Sequence, residues 1–139
     1  MMLVYMFFLH FIADFVLQNR EMGKKKSKKI EFLTKHCIIQ FVVFSIGLIP
    51  FYGVQSAQFG LANALIHGVI DWHIWRLYAI SVLHRQFDKS VPWKDRPKLM
   101  YKRYPFWEDH YFYLTIGFDQ FLHLATIVTL WYSVLGGGK

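Results

Sequence analysis

Apolar residues fall in four long blocks, at about residues 2–18, 30–51, 59–83 and 109–135, separated by polar stretches. Blocks of about 17–25 largely apolar residues, wound as helices, match the hydrocarbon thickness of a bilayer. The pattern predicts an all-α fold, a four-helix transmembrane bundle, with residues 1–139 forming one integral membrane domain. The second block ends near Gly47 and Pro50, which weaken or stop a helix. A short polar turn, residues 53–58, leads into the third. The longest connection, residues 84–108, contains Pro92, Pro97 and Pro105. The first block has no basic residues before it and no small-residue cleavage pattern, and it carries His10 and Asp14 mid-stretch. It therefore reads as a retained helix and not a signal peptide. The tail Gly136–Lys139 is assigned no role.

Composition sharpens this picture. Apolar residues make up 55% of the chain and aromatic residues 19%, more than a soluble domain of 139 residues hides easily. The net charge of +7 is clustered: residues 19–29 hold six Lys/Arg and residues 84–108 hold seven, whereas residues 53–58 hold none. Basic clusters beside apolar spans are the signature of cytoplasmic loops, so nucleic acid is disfavoured as a partner. This places both termini on the outer side of an inner (cytoplasmic) membrane, in a multi-pass topology. The run Lys24, Lys25, Lys26, Lys28, Lys29 reads as a solvated patch beside lipid headgroups. Trp93, Tyr101, Tyr104 and Trp107 read as interfacial anchors, with Pro105, Phe106 and Trp107 as an alternative substrate entrance. Cys37, the single cysteine, reads as a packing residue.

An ionisable group in hydrocarbon costs about 2.5–3.5 kcal/mol near a helix centre, yet three blocks each carry an Asp. Each Asp has a His four residues away: His10 and Asp14, His67 and Asp71, Asp119 and His123. Residues four apart share a helix face. The third pair is reversed in sequence, and its helix runs in the opposite direction. All three Asp residues therefore sit about one turn, roughly 5.4 Å, nearer the basic side than their His partners. His36 and Gln40 extend the arrangement from the second block. Gln18 and Asn63 extend the faces of the first and third, and Gln120 points partly away. Three carboxylates gathered in low dielectric demand a cation or protons.

Carboxylate and imidazole together suit a divalent ion, with Zn or Mn favoured. His10, Asp14, His67, Asp71, Asp119 and His123 are the expected ligands, and with His36 as a ligand or general base the set suffices for two ions. Arg76 and Lys35 are candidate holders of an anionic substrate group, with snorkelling to the interface as the alternative. His73 reads as peripheral, and His84 and His110, at span ends, read as interfacial.

His10, Asp14, Phe15 and Gln18, together with His36, the His67/Asp71 pair and Asp119-Gln120-x-x-His123, resemble an uncharacterised family of small bacterial and phage membrane proteins. The resemblance touches all four blocks and implies no activity. A looser similarity, in architecture and His/Asp usage, is to membrane-bound metal-dependent hydrolases, although no dedicated hydrolase motif can be matched.

These features lead to the expectation of a metal-dependent hydrolase opening to the cytoplasm and acting on a phosphoester of a lipid or nucleotide. The competing expectations are a proton or metal-ion transporter or channel, a haem-binding electron carrier, and a non-enzymatic phage or bacterial membrane interaction protein with a structural polar core. Homo-oligomerisation is compatible with a bundle this small, and no motif requires it.

Overall fold

The computed structural model describes residues 1–86, 92, 94–95 and 108–137. Trp93, Tyr101, Tyr104, Pro105, Phe106 and Trp107, the expected anchors and entrance, lie outside the described residues. The described residues form helices, with no strand among them. They are α1 (Met2–Phe11), continued by a π-helical turn (Ile12–Val16), α2 (Arg20–Lys25), α3 (Ile30–Tyr52), α4 (Gln55–Gln86) and α5 (His110–Val134).

Two boundaries differ from the hydropathy reading in an instructive way. Residues 19–29 are not simply a solvated loop. Asn19 Oδ1 accepts a hydrogen bond from Met22 N at 2.8 Å, capping the short helix α2. Helix α4 starts at Gln55, ahead of the apolar block that begins near Phe59. Gly53 turns the chain with φ +53°, a left-handed conformation that suits glycine, and the Ser56 hydroxyl donates to the Gly53 carbonyl. Hydropathy marks where a helix becomes apolar, not where it begins. At the other end, Asp109 Oδ1 accepts from Tyr111 N at 3.1 Å and caps α5.

Helix α3 packs on α4, α4 on α5, and α1 on both α3 and α5. The α3–α4 contact is close because Gly60, Ala64 and Gly68 recur every four residues along α4. A Cβ on Gly60 would lie 2.9 Å from the Phe41 carbonyl oxygen, and one on Gly68 would lie 2.7 Å from Cys37 Sγ. Helix α1 approaches α3 at Gly47, where a Cβ would meet Leu9 at 2.7 Å and where the carbonyl accepts from Tyr5 Oη at 3.1 Å.

The interior is layered. One end is an apolar cluster of Met6, Leu9, Phe44, Leu48, Phe59, Ile127, Leu130 and Leu135. The other is a smaller cluster of Tyr78, Val82 and Leu83, with Trp75 and Phe112 against it. Between them along α4 and α5 lie the buried residues Asn63, His67, Asp71, Asp119 and His123. The outside is largely apolar: Val4, Phe8, Ile46, Leu65, Val69 and Phe121 are all exposed.

Helices α3 and α5, with 23 and 25 residues, are long and apolar enough to cross a membrane. The apolar stretch Met2–Val16 is shorter. Helix α4 is the longest, but its polar residues hold it below the same apolarity. By length and composition, two of the four expected spans are therefore supported.

Candidate metal centre

Four helical segments contribute to one polar layer. Helix α1 supplies His10 and its π turn supplies Asp14. Helix α3 supplies His36 and Gln40, α4 supplies His67 and Asp71, and α5 supplies Asp119 and His123. All eight side chains are buried, and His36, Gln40, His67 and Asp71 have no exposure at all. Leu17 N bonds the Ile12 carbonyl at 2.9 Å, five residues back, so the turn carrying Asp14 is wider than an α-helical one. Wide turns of this kind re-aim a side chain and recur at functional sites. His10 Nε2 and Asp14 Oδ2 stand 3.9 Å apart across it.

The centre of the layer is His67 Nε2. It lies 2.9 Å from His36 Nε2, 3.2 Å from Asp71 Oδ2, 3.3 Å from Asp14 Oδ1 and 3.4 Å from Gln40 Nε2. A ring nitrogen carries one hydrogen at most and cannot satisfy all these neighbours. His36 Nε2 is equally crowded, 2.8 Å from Asp14 Oδ1 and 3.4 Å from Asp71 Oδ2. On the α5 side the imidazoles of His67 and His123 stack with centroids 3.8 Å apart. His123 Nε2 lies 3.7 Å from Asp119 Oδ1 and 3.8 Å from Asp71 Oδ1.

All four imidazoles turn Nε2 inward, while the Nδ1 atoms of His10, His36, His67 and His123 are buried without a hydrogen-bond partner. Three sets of side chains bring donor atoms within 4.8 Å of one another: Asp14, His67 and His123; His36, His67 and Asp71; Asp71, Asp119 and His123. Crowded acceptors that share too few protons could hold a divalent cation.

One group in this layer was not expected there. Lys26, from the turn after α2, is only 5% exposed. Its Nζ lies 2.8 Å from Asp71 Oδ1, 3.8 Å from Asp14 Oδ1 and 3.5 Å from His36 Nε2. The helical winding divides the basic run. Met22 and Lys26, one turn apart, face inward and are buried, whereas Lys24, Lys28 and Lys29 are exposed. The available signal was Asn19 as a helix cap with Met22 as the single apolar residue behind it, which fixes the inward face. Burial alone disfavours the Lys26 ammonium, but the carboxylates of Asp71 and Asp14 outweigh it and hold the pKa above the ordinary lysine value.

Other expected residues are placed as follows. Gln120 reaches the layer in spite of its angle: Nε2 donates to Asp14 Oδ2 at 3.3 Å and lies 3.4 Å from Asp119 Oδ2, while Oε1 is 3.3 Å from His10 Nε2. Gln40 Nε2 donates to Asp14 Oδ1 at 3.3 Å. Asn63 is buried one turn beyond His67, and its Nδ2 has no hydrogen-bond partner. Gln18 packs beside Gly23 of α2 and not among the ligands.

The two candidate anion holders are not in the layer. Lys35 is exposed and pairs with Glu31 at 2.6 Å. Arg76 is exposed, lies over the Trp72 ring at 3.5 Å and donates from Nε to the Ser27 carbonyl at 2.9 Å. Each sits on the outer side of its helix, which the charge of the residue could not reveal. His73 is exposed and donates from Nδ1 to the Val69 carbonyl at 2.8 Å.

The fold and its buried residues define an all-helical protein built around a His/Asp layer with metal-ligand spacing. The chain belongs to the family described as protein of unknown function, DUF3307, whose profile matches residues 2–138. This agrees with the uncharacterised family suggested by His10, Asp14, Phe15 and Gln18, and the family description carries no activity. No curated protein and no solved structure matches the chain.

Proposed function

We propose that this protein is a polytopic membrane protein in which α1 with its π turn, α3, α4 and α5 cross the bilayer as a four-helix bundle. Its buried His/Asp layer binds a divalent metal, Zn or Mn, and hydrolyses a phosphoester of a lipid or nucleotide presented from the cytoplasm. The observation that carries this reading is the convergence of carboxylates and inward-turned Nε2 atoms from four helical segments, inside a bundle whose outer surface is apolar. Lipid is the solvent that accommodates such an inside-out distribution. The Asp side of the layer meets the basic segment 19–29, which favours access from the cytoplasmic face and both termini on the outer face.

A bound divalent ion would lower the pKa of water and polarise a phosphoryl oxygen. The chain's own residues would do the remaining work. His67 and Asp71 anchor the donor set. His36, in contact with Asp14, is the candidate proton acceptor. Gln40 and Gln120 fix the orientation of Asp14 through its two oxygens.

Metal analysis of the protein purified in detergent tests this reading. A tightly held non-haem divalent ion, reduced by Asp14→Asn, Asp71→Asn and Asp119→Asn, is expected. Unchanged occupancy in all three variants would overturn it.

A second reading, proton or metal-ion transport, is favoured by the unbroken contacts from Lys26 through His36 and Asp14 to Gln120 and His10. Proteoliposomes that acidify or load metal only with the wild-type layer would support it over hydrolysis.

A further inference from the structure

The three carboxylates of the layer do not stand alone against an incoming metal. We propose that the Lys26 ammonium takes the place of a second metal ion, so that the centre holds a single divalent cation, on its Asp71–Asp119–His123 side. This inference rests on the metal reading given above and fixes its stoichiometry and location.

Charge sets the stoichiometry. Asp14, Asp71 and Asp119 bring three negative charges, and Lys26 returns one positive charge at 2.8 Å from Asp71 and 3.8 Å from Asp14. The remainder of two negative charges is what one divalent ion neutralises. A second ion would leave the buried layer with two excess positive charges beside an ammonium that repels it, whereas without the lysine the excess falls to one and that repulsion is gone. The ammonium also has only donors to offer, so the volume it fills cannot contribute a ligand.

Geometry sets the location. Lys26 contacts Asp71, Asp14 and His36, the side where acceptors already share hydrogen bonds and ion pairs. On the α5 side Asp119 Oδ1 and His123 Nε2 are buried without a hydrogen-bond partner, their residues only 3% and 2% exposed, and His123 Nε2 lies 3.8 Å from the Asp71 Oδ1 that Lys26 pairs with. Together with Asp71 they form a donor set within 4.8 Å, and two unpartnered buried atoms aimed into it point to a ligand there.

Lys26 is built into this position. The Asn19 cap starts α2, Met22 buries its inner face, and Arg76 ties down the Ser27 carbonyl next to Lys26 in the chain.

The test is Mn2+ stoichiometry of the detergent-purified full chain, measured by equilibrium dialysis and elemental analysis. Wild type and Lys26→Arg should each bind one ion, Lys26→Met two, and Asp119→Asn none. Two ions in wild type would overturn the inference and leave the metal reading intact, as would one ion in Lys26→Met with unchanged affinity. No ion in wild type with one in Lys26→Met would overturn both the inference and the metal reading. No ion in either would overturn both. If Lys26→Met does not fold, Asp119→Asn decides the location, since retention of the ion there contradicts it.

Discussion

His36 and His67, on neighbouring helices, hold their Nε2 atoms 2.9 Å apart. Their distance is set next door in sequence: Cys37 follows His36, Gly68 follows His67, and a Cβ on Gly68 would lie 2.7 Å from Cys37 Sγ. The small residues of α4 thus determine how closely the donor groups of α3 and α4 approach.

That relationship gives the first prediction. Gly60→Val places a branched side chain against the Phe41 carbonyl, where a Cβ already meets oxygen at 2.9 Å. The expected loss is about 1–3 kcal/mol of stability, together with weaker metal binding. Thermal unfolding in detergent, with and without added Zn2+, reads both. A variant as stable as wild type would show that α3 and α4 are not held by this contact.

Arg76 should behave as a structural tie and Lys35 as a surface residue with little effect on stability. Arg76→Ala removes the tie to the Ser27 carbonyl and should cost about 1–3 kcal/mol, the scale of a charged hydrogen bond. Lys35→Ala breaks only an exposed pair with Glu31 and should change stability by less than about 0.5 kcal/mol. Unfolding midpoints of the two variants distinguish these outcomes, and a larger effect at Lys35 would reverse the assignment.

Asp71→Asn leaves the Lys26 ammonium buried beside a neutral amide. Breaking a buried pair from one side typically costs about 3–5 kcal/mol. The double replacement Asp71→Asn with Lys26→Met should recover part of that loss. A double-mutant cycle in thermal unfolding checks the coupling, and simple additivity would mean that the 2.8 Å contact carries no energy.

The proposed orientation predicts that a reporter fused after Lys139 is active only on the outer side of the membrane, and that one inserted at Gly53 is also outside of the cytoplasm. Residues 53–58 carry no Lys or Arg, whereas residues 19–29 carry six. Cytoplasmic activity of either fusion would invert the topology.

How much of this was legible in the sequence follows from helical geometry. The pairs His10/Asp14, His67/Asp71 and Asp119/His123 could be read as facing one centre because four residues make about one turn. His36 and Gln40 followed from the same spacing. The π turn at Asp14 was not legible, because one wide turn leaves no mark in hydrophobic periodicity. Lys26 was hidden in a run of five lysines, where composition suggests a solvated patch and only the capped helix α2 separates the buried residue from its neighbours. Lys35 and Arg76 were candidates by charge; that they lie outside the layer is decided by packing between helices, which charge does not reveal.

The most direct test of a metal centre in this layer is X-ray absorption spectroscopy of the purified protein loaded with Zn2+. A first shell of mixed nitrogen and oxygen donors at roughly 2.0–2.2 Å is expected, with outer-shell scattering from imidazole. Asp119→Asn should lose this signal. An oxygen-only shell, or zinc that washes away from the wild-type protein, would contradict the account.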